Sequence, residues 1–307
     1  METPTEVSRT KAFGCAITQY AYTSPALGGT KATFSVITPP PEAGGGGAPL
    51  PALYWLSGLT CTDQNFITKA GAAAHAAAAR LIIVAPDTSP RGAGAPGEED
   101  GWDFGTGAGF YVDAVTPGFG AYQMETYVTV ELPAAVAAAV AARGGGVALD
   151  GTRRSVAGHS MGGHGALTLA LRHPRLYASA SAFSPVAHPT ACPWGVKAFT
   201  GYLGGDAAAA AGWADHDATE LMGARGKPLY PSTPIRVEQG AADQFWADGQ
   251  LRGDEFVDAC TAAGQPVEWH LREGYDHSYH FIATFLGEHV ALHAAALAAA
   301  AEKKGGE

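Results

Sequence analysis

Short apolar runs alternate along this chain with longer stretches rich in Ala, Leu and Glu. Ala32–Thr38, Leu53–Leu56, Leu81–Ala85, Ser155–Ala157, Ile235–Gln239 and Val267–Leu271 are short and rich in aliphatic and aromatic residues, so each predicts a buried strand. Asn65–Ala79, Tyr127–Ala142, Gly162–His173, Gly249–Ala263 and His280–Ala301 carry strong helix formers and predict helices. Strands that alternate with helices imply βαβ units and a mostly parallel sheet, hence an α/β fold. Pro39–Pro51, PPPEAGGGGAPLP, falls between two strand predictions and reads as a flexible hairpin loop at 39–51. A domain boundary there would leave about 40 residues upstream, near the lower limit for a core that folds unaided. The pattern therefore predicts one domain over residues 1–307, with no repeat of solenoid or propeller period.

Composition narrows the class further. The chain has 307 residues, 47% hydrophobic and 16% charged, enough apolar surface to fold. A net charge of −10 without a Lys/Arg block argues against a nucleic-acid partner. No run approaches about 18 consecutive apolar residues free of Gly, Pro or charge, so no membrane partner is expected. METPTEVSRTKAF lacks the charged head and apolar core of a signal peptide, and the default address is cytoplasmic. Cys15, Cys61, Cys192 and Cys260 are widely spaced, without a CxxC zinc pattern or a disulfide framework, and read as reduced thiols.

The chemistry starts at Gly158-His-Ser160-Met-Gly162. Preceded by an apolar strand and followed by a helix, a G-x-S-x-G segment sets its serine on a sharp strand-to-helix turn, and Gly158 and Gly162 remove the Cβ atoms that would collide there. Ser160 is then exposed as a nucleophile, and the Met161 amide points from a helix start at any oxyanion that forms. A bare match is also compatible with an ordinary glycine-tolerant turn; the flanking strand and helix favour the nucleophile. His159 and His164 are close to Ser160 in the chain, but a nucleophile's base normally comes from elsewhere in the fold.

An acid and a histidine should follow on loops after later strands. Asp243 lies just past Ile235–Gln239, and His277 lies just past Val267–Leu271. A neutral imidazole accepts the serine proton near pH 7 and a carboxylate holds its tautomer, which makes Ser160, His277 and Asp243 the predicted nucleophile, base and acid. Asp276 and Asp248 remain competing acids, Asp276 reading more naturally as a loop-shaping residue. His280, His289 and His293 read as helix-surface or core residues. No cofactor or metal is called for, because the nucleophile is a side chain and no HExxH or clustered ligand set is present.

Beyond the triad, the chain resembles the S-formylglutathione hydrolase (esterase D) family over nearly its whole length. The segments that carry this are Tyr54–Phe66, Pro86–Gly92, Gly109–Ala114, Gly158–Gly165, Cys192–Gly195, Lys197–Phe199, Gly201–Gly204 and Glu273–Tyr279. The resemblance implies an α/β-hydrolase fold and hydrolysis of the thioester S-formylglutathione to glutathione and formate through a formyl-enzyme, the second step of formaldehyde removal. It places the family's nucleophile, acid and base on Ser160, Asp243 and His277, and adds the Leu59 amide as second oxyanion donor beside Met161. It implies a cysteine near the active site at Cys61, which read alone is as well an inert buried thiol, and a pocket residue at Trp194, which read alone is as well a core aromatic. A homodimer is implied too. Ala242 stands where the family usually has a second acid, which makes Asp243 less ambiguous, and Met124-Glu-Thr-Tyr127 departs from the family's pattern. Glutathione is anionic, so local positive charge is needed; Lys69, Arg91 and Lys197 are the candidates.

Three other functions share parts of this pattern. A general short-chain carboxylesterase would use the same triad with another leaving group. A noncatalytic binding protein on this fold should lack a triad member, and here none is missing. Acyl transfer to a sugar or lipid acceptor would fit a secreted protein.

Overall fold

The computed structural model describes residues 2–42 and 47–305, the side chains of 303–305 excepted. Ala43–Gly46, inside the predicted 39–51 loop, lie outside the described residues. The chain begins with β1 (Thr5–Ala12), β2 (Cys15–Ser24), β3 (Thr30–Thr38) and β4 (Leu50–Leu56). Helices α1 (Asp63–Lys69) and α2 (Ala72–Ala79) lead to β5 (Ile82–Pro86). A long connection then reaches α3 (Met124–Thr126), a π-helical turn at Tyr127–Glu131, and α4 (Leu132–Arg143). After β6 (Leu149–His159), α5 (Met161–Arg172) and β7 (Ala180–Phe183) come α6 (Pro193–Leu203), α7 (Ala207–Ala210) and α8 (Ala218–Arg225). The chain closes with β8 (Ile235–Gly240), α9 (Gln244–Ala247), α10 (Gly253–Ala262), β9 (Val267–Arg272) and α11 (Tyr279–Gly305).

The nine strands of the described residues form one sheet in the order β1-β2-β3-β5-β4-β6-β7-β8-β9. β1, β2, β3 and β5 pair antiparallel in turn, whereas every pair from β5 through β4 to β9 is parallel. β4, β5 and β7 are buried on both faces and are apolar at almost every position, whereas β9, at the edge of the sheet, is only half-buried. Ile82 and Val84 pack with α4 and α5 on one side, while Ile83 and Ala85 pack with α1, α2 and α11 on the other. Trp55 stacks on Phe66 there, with ring centroids 4.1 Å apart. The α/β-hydrolase expectation agrees with this mostly parallel sheet flanked by helices. Two helical segments, Met124–Arg143 and Tyr279–Glu302, have the length and hydropathy of a membrane span, and each buries apolar side chains in the core.

Several boundaries differ from the sequence pattern for identifiable reasons. The helix expected over Asn65–Ala79 is two helices, because Gly71 takes φ 67° and the Ala70 N–H caps back to Phe66. The helix expected from Gly249 starts at Gly253, since Gly249 and Arg252 both have positive φ. Residues 39–51 do not connect a hairpin: β5 lies between β3 and β4, and Leu50 and Pro51 already belong to β4. β1, β2, β7, α6 and α8 had no expected counterpart; β1 is exposed along nearly all its length and shows no alternation to read.

Candidate active site

Everything chemical gathers where the parallel strands end. β6 stops at His159 and α5 begins at Met161, leaving Ser160 at φ 58° and ψ −121°. A non-glycine residue in that region carries about 1–3 kcal/mol of strain and persists only when its surroundings hold it. Here the Ser160 N–H donates to Phe183 O at 2.9 Å, and Ser160 O accepts from the His164 and Val186 amides at 3.0 and 3.2 Å. A Cβ on Gly158 would lie 2.0 Å from Gly162 O, and one on Gly162 would lie 2.0 Å from Leu56 O. Both glycines are therefore required by the close passage of backbone around the turn.

Asp243 and His277 come from the two neighbouring strand ends. The Ala241 and Ala242 amides donate to Arg272 O and Tyr275 O, each at 2.9 Å, which ties the loop after β8 to the loop after β9. His277 Nδ1 lies 2.6 Å from Asp243 Oδ2. The other carboxylate oxygen of Asp243 accepts from the Phe245 N–H at 2.9 Å, and Gln239 Nε2 donates to Oδ2 at 3.3 Å. Burial would raise the Asp243 carboxyl, but the hydrogen bond and charge of His277, with the Phe245 amide, hold it below the ordinary carboxylate range. The His277 ring is held between His159, with centroids 4.3 Å apart, and the edge of Phe245, at 4.9 Å. Burial keeps His159 far below the usual imidazole range, so it faces His277 as a neutral ring. Asp276 is exposed and accepts from the Ser278 N–H at 3.0 Å, an Asx turn, and Asp248 is exposed after α9.

The loop after β4 passes directly over Ser160. A Cβ on Gly58 would be 3.0 Å from the Ser160 Cβ, so only glycine allows this approach without displacement. Thr60, at φ 68°, donates its N–H to Gly107 O at 2.9 Å, and Tyr111 Oη donates to Ser57 O at 2.9 Å, which fixes the loop on the segment that precedes α3. Among the described residues the Leu59 N–H has no acceptor, and the Met161 N–H, in the first helical turn, has none in its own helix.

Ser160 and His277 share a cavity of about 220 Å³ with Gly58, Leu59, Cys61 and Tyr279. Trp102, Trp194 and Phe245 form an aromatic wall: Trp194 meets Trp102 edge-on at 5.6 Å and Phe245 at 4.8 Å. Cys61 is buried, its Sγ 3.7 Å from the Tyr279 hydroxyl, and burial pushes its thiol up, away from the reactive thiolate. Lys197 lies outside the cavity wall and is ion-paired with Asp103. Arg91 is paired with Asp87 at 2.8 Å and donates to Cys61 O, so it braces the loop. Trp102, Phe245, Tyr279 and His159 were not expected as walls. His159 directly precedes Ser160, and Phe245 and Tyr279 stand two residues after Asp243 and His277, a nearness in the chain that could have supplied the signal; Trp102 carries none. A second Ser–His contact, Ser181 Oγ to His289 Nδ1 at 2.8 Å, is fully buried between β7 and α11 and opens onto no cavity wall of this site.

Comparison with known proteins adds a family to this geometry. The family model described as "Putative esterase" matches residues 24–292. S-formylglutathione hydrolase of Bos taurus is 49% identical over 290 residues, covering 94% of this chain and 97% of that protein. The chain belongs to the S-formylglutathione hydrolase family. The Arabidopsis thaliana S-formylglutathione hydrolase is 45% identical, over 95% of this chain and 97% of its own length. Among solved structures, an S-formylglutathione hydrolase from Agrobacterium tumefaciens matches with a TM-score of 0.84 and 38% identity, covering 95% of this chain and 99% of that one. A more distant likeness, to MPT51 of Mycobacterium tuberculosis with a TM-score of 0.66 and 19% identity, extends the shared fold alone.

Proposed function

We propose that this protein hydrolyses the thioester S-formylglutathione to glutathione and formate, with Ser160, His277 and Asp243 as nucleophile, base and acid. The observation that carries the reading is the small cavity whose wall holds both Ser160 and His277. The substrate comes from the name its relatives share over nearly their whole length. In the acylation step His277 takes the Ser160 proton as Oγ attacks the formyl carbon, and the oxygen that becomes negative lies between the Leu59 and Met161 amides. Collapse breaks the C–S bond, and the proton on His277 goes to the departing sulfur. A thiol ionises near pH 8.5, so sulfur needs less proton assistance than an alkoxide would. Water, deprotonated by His277, then attacks the formyl ester on Ser160, releasing formate and restoring the serine.

The 2.6 Å contact to Asp243 supports the tautomer this needs, with the proton on Nδ1 and the lone pair of Nε2 free for the serine. Asp243 stays ionised and steadies the imidazolium as it forms. A cavity of about 220 Å³ also supports a small acyl group. One added methyl should cost about 10- to 200-fold through exclusion.

The test is kcat/KM for S-formylglutathione, S-acetylglutathione and a short aryl acetate, with Ser160→Ala as control. A large formyl preference that vanishes in the variant is expected. Equal or better turnover of the aryl ester would instead make this a general carboxylesterase.

A further inference from the structure

A protein of net charge −10 that binds an anionic tripeptide thioester needs local positive charge at its cavity. The cations around the site are mostly committed elsewhere. Arg91 is paired with Asp87, Lys197 with Asp103, Arg252 with Glu255, and Arg272 with Glu238 and Glu288. Lys69 differs. It is exposed, among the described residues no carboxylate pairs with it, and its ammonium sits 5.6 Å from the ring centroid of Tyr279, a residue of the cavity wall.

The position of Lys69 follows from the fold. α1 leaves the Gly58–Cys61 loop through the Thr62 cap and runs seven residues, so Lys69 ends the helix about 10 Å from that loop. A tripeptide spans about 10 Å when extended, and a lysine side chain adds several more, so a thioester sulfur at Ser160 and a carboxylate at Lys69 are within one ligand's reach. The Tyr279 ring face holds the charge beside a residue of the cavity wall by cation–π attraction.

We propose that Lys69 is a specificity-determining residue: it holds a carboxylate of the leaving peptide at the cavity mouth, and so selects peptide thioesters over neutral esters. This rests on the glutathione-thioester reading above and names a group that would recognise the peptide.

The experiment compares wild type, Lys69→Met and Lys69→Arg on S-formylglutathione and on a short aryl acetate, at low and high salt. Methionine keeps an unbranched apolar stem beside Tyr279 and removes the charge. We expect Lys69→Met to raise KM for S-formylglutathione about two- to fivefold, the range of an exposed ion pair, with kcat held. The ratio of kcat/KM on the thioester to that on the aryl ester should fall by the same factor. Added salt should raise KM for the wild type but not for Lys69→Met, and Lys69→Arg should restore both the ratio and the salt response. An unchanged KM overturns the proposal, and so does a parallel loss on both substrates, which would mean that Lys69 acts through the packing of Tyr279. A wild-type enzyme that turns over the aryl ester but not S-formylglutathione would overturn the thioester reading itself, and that result is read before any variant is made.

Discussion

Replacing Asp243 with asparagine tests the acid without changing its size. The carboxylate accepts from three donors: His277 Nδ1 at 2.6 Å, the Phe245 N–H at 2.9 Å and Gln239 Nε2 at 3.3 Å. A carboxamide has one oxygen and one NH2 to offer. If the oxygen stays on the Phe245 amide, the NH2 faces His277, which must then accept at Nδ1 and carry its proton on Nε2. The ring that should take the Ser160 proton becomes a donor, and the loss approaches about 10⁴-fold, near 5.5 kcal/mol. If the amide flips, the tautomer is restored but two N–H donors meet at a buried site, at a cost of about 1–3 kcal/mol, or roughly five- to 150-fold in activity. Asp243→Asn should therefore lose between about fivefold and 10⁴-fold in the single-turnover acylation rate with an aryl acetate at pH 7. Thermal unfolding measured beside it shows whether the fold survives. The folded-state carboxyl is held low, so its contribution to stability is present above the unfolded pKa of about 3.9 and is lost as pH falls toward the lower folded value. The gap in Tm between wild type and variant should accordingly narrow below about pH 4. An acylation rate within threefold of wild type in a folded variant would refute the reasoning and return Asp276 or Asp248 as the acid.

Gly58→Ala places a Cβ 3.0 Å from the Ser160 Cβ and 3.2 Å from His159 O, so the loop that carries Leu59 must shift by a few tenths of an ångström. A drop of about 10- to 100-fold in kcat is expected with the fold retained, and an unchanged kcat would mean that the Leu59 amide is not used. His293→Leu removes one of the two partners of Ser179 and of Ser181, each 2.8 Å from a ring nitrogen, and should cost about 1–3 kcal/mol. Burial depresses His293 to about 3, so the unfolded chain binds its proton first and stability falls as pH drops from about 6.5 toward that value. Urea midpoints at pH 7, 6 and 5 should show a slope shallower in His293→Leu by up to about 1.4 kcal/mol per pH unit, and parallel profiles would contradict it.

Most of the parallel half of the sheet was legible because strands buried on both faces are largely apolar, as Ile82–Ala85 are, although the equally buried Ala180–Phe183 had no expected counterpart. The antiparallel edge was not, since β1 lies exposed and its order of pairing is set by contacts far along the chain. Ser160, Asp243 and His277 could be located because each lies just beyond a strand with a readable pattern. The break at Gly71 was visible only as a glycine within a helical run, and its left-handed conformation is a tertiary outcome. Charge was harder: Lys197 and Lys69 look equivalent in sequence, and the difference is that Asp103, from a distant loop, neutralises one of them. The wall formed by Trp102, Trp194 and Phe245 joins three segments that no local pattern connects.

The order of strands also bears on how activity first appears in a refolding chain. The proposed nucleophile, acid and base hang from β6, β8 and β9, and the cavity lining runs from Gly58 to Tyr279, so no stretch shorter than residues 58–279 contains the site. Such contacts are long in sequence and slow to form, because loop closure precedes any gain from pairing. Recovery of esterase activity should lag the return of helical signal, and its rate constant should report the closing of the sheet from β4 to β9. β1, β2 and β3 contribute no cavity residue, and their docking should leave that rate untouched.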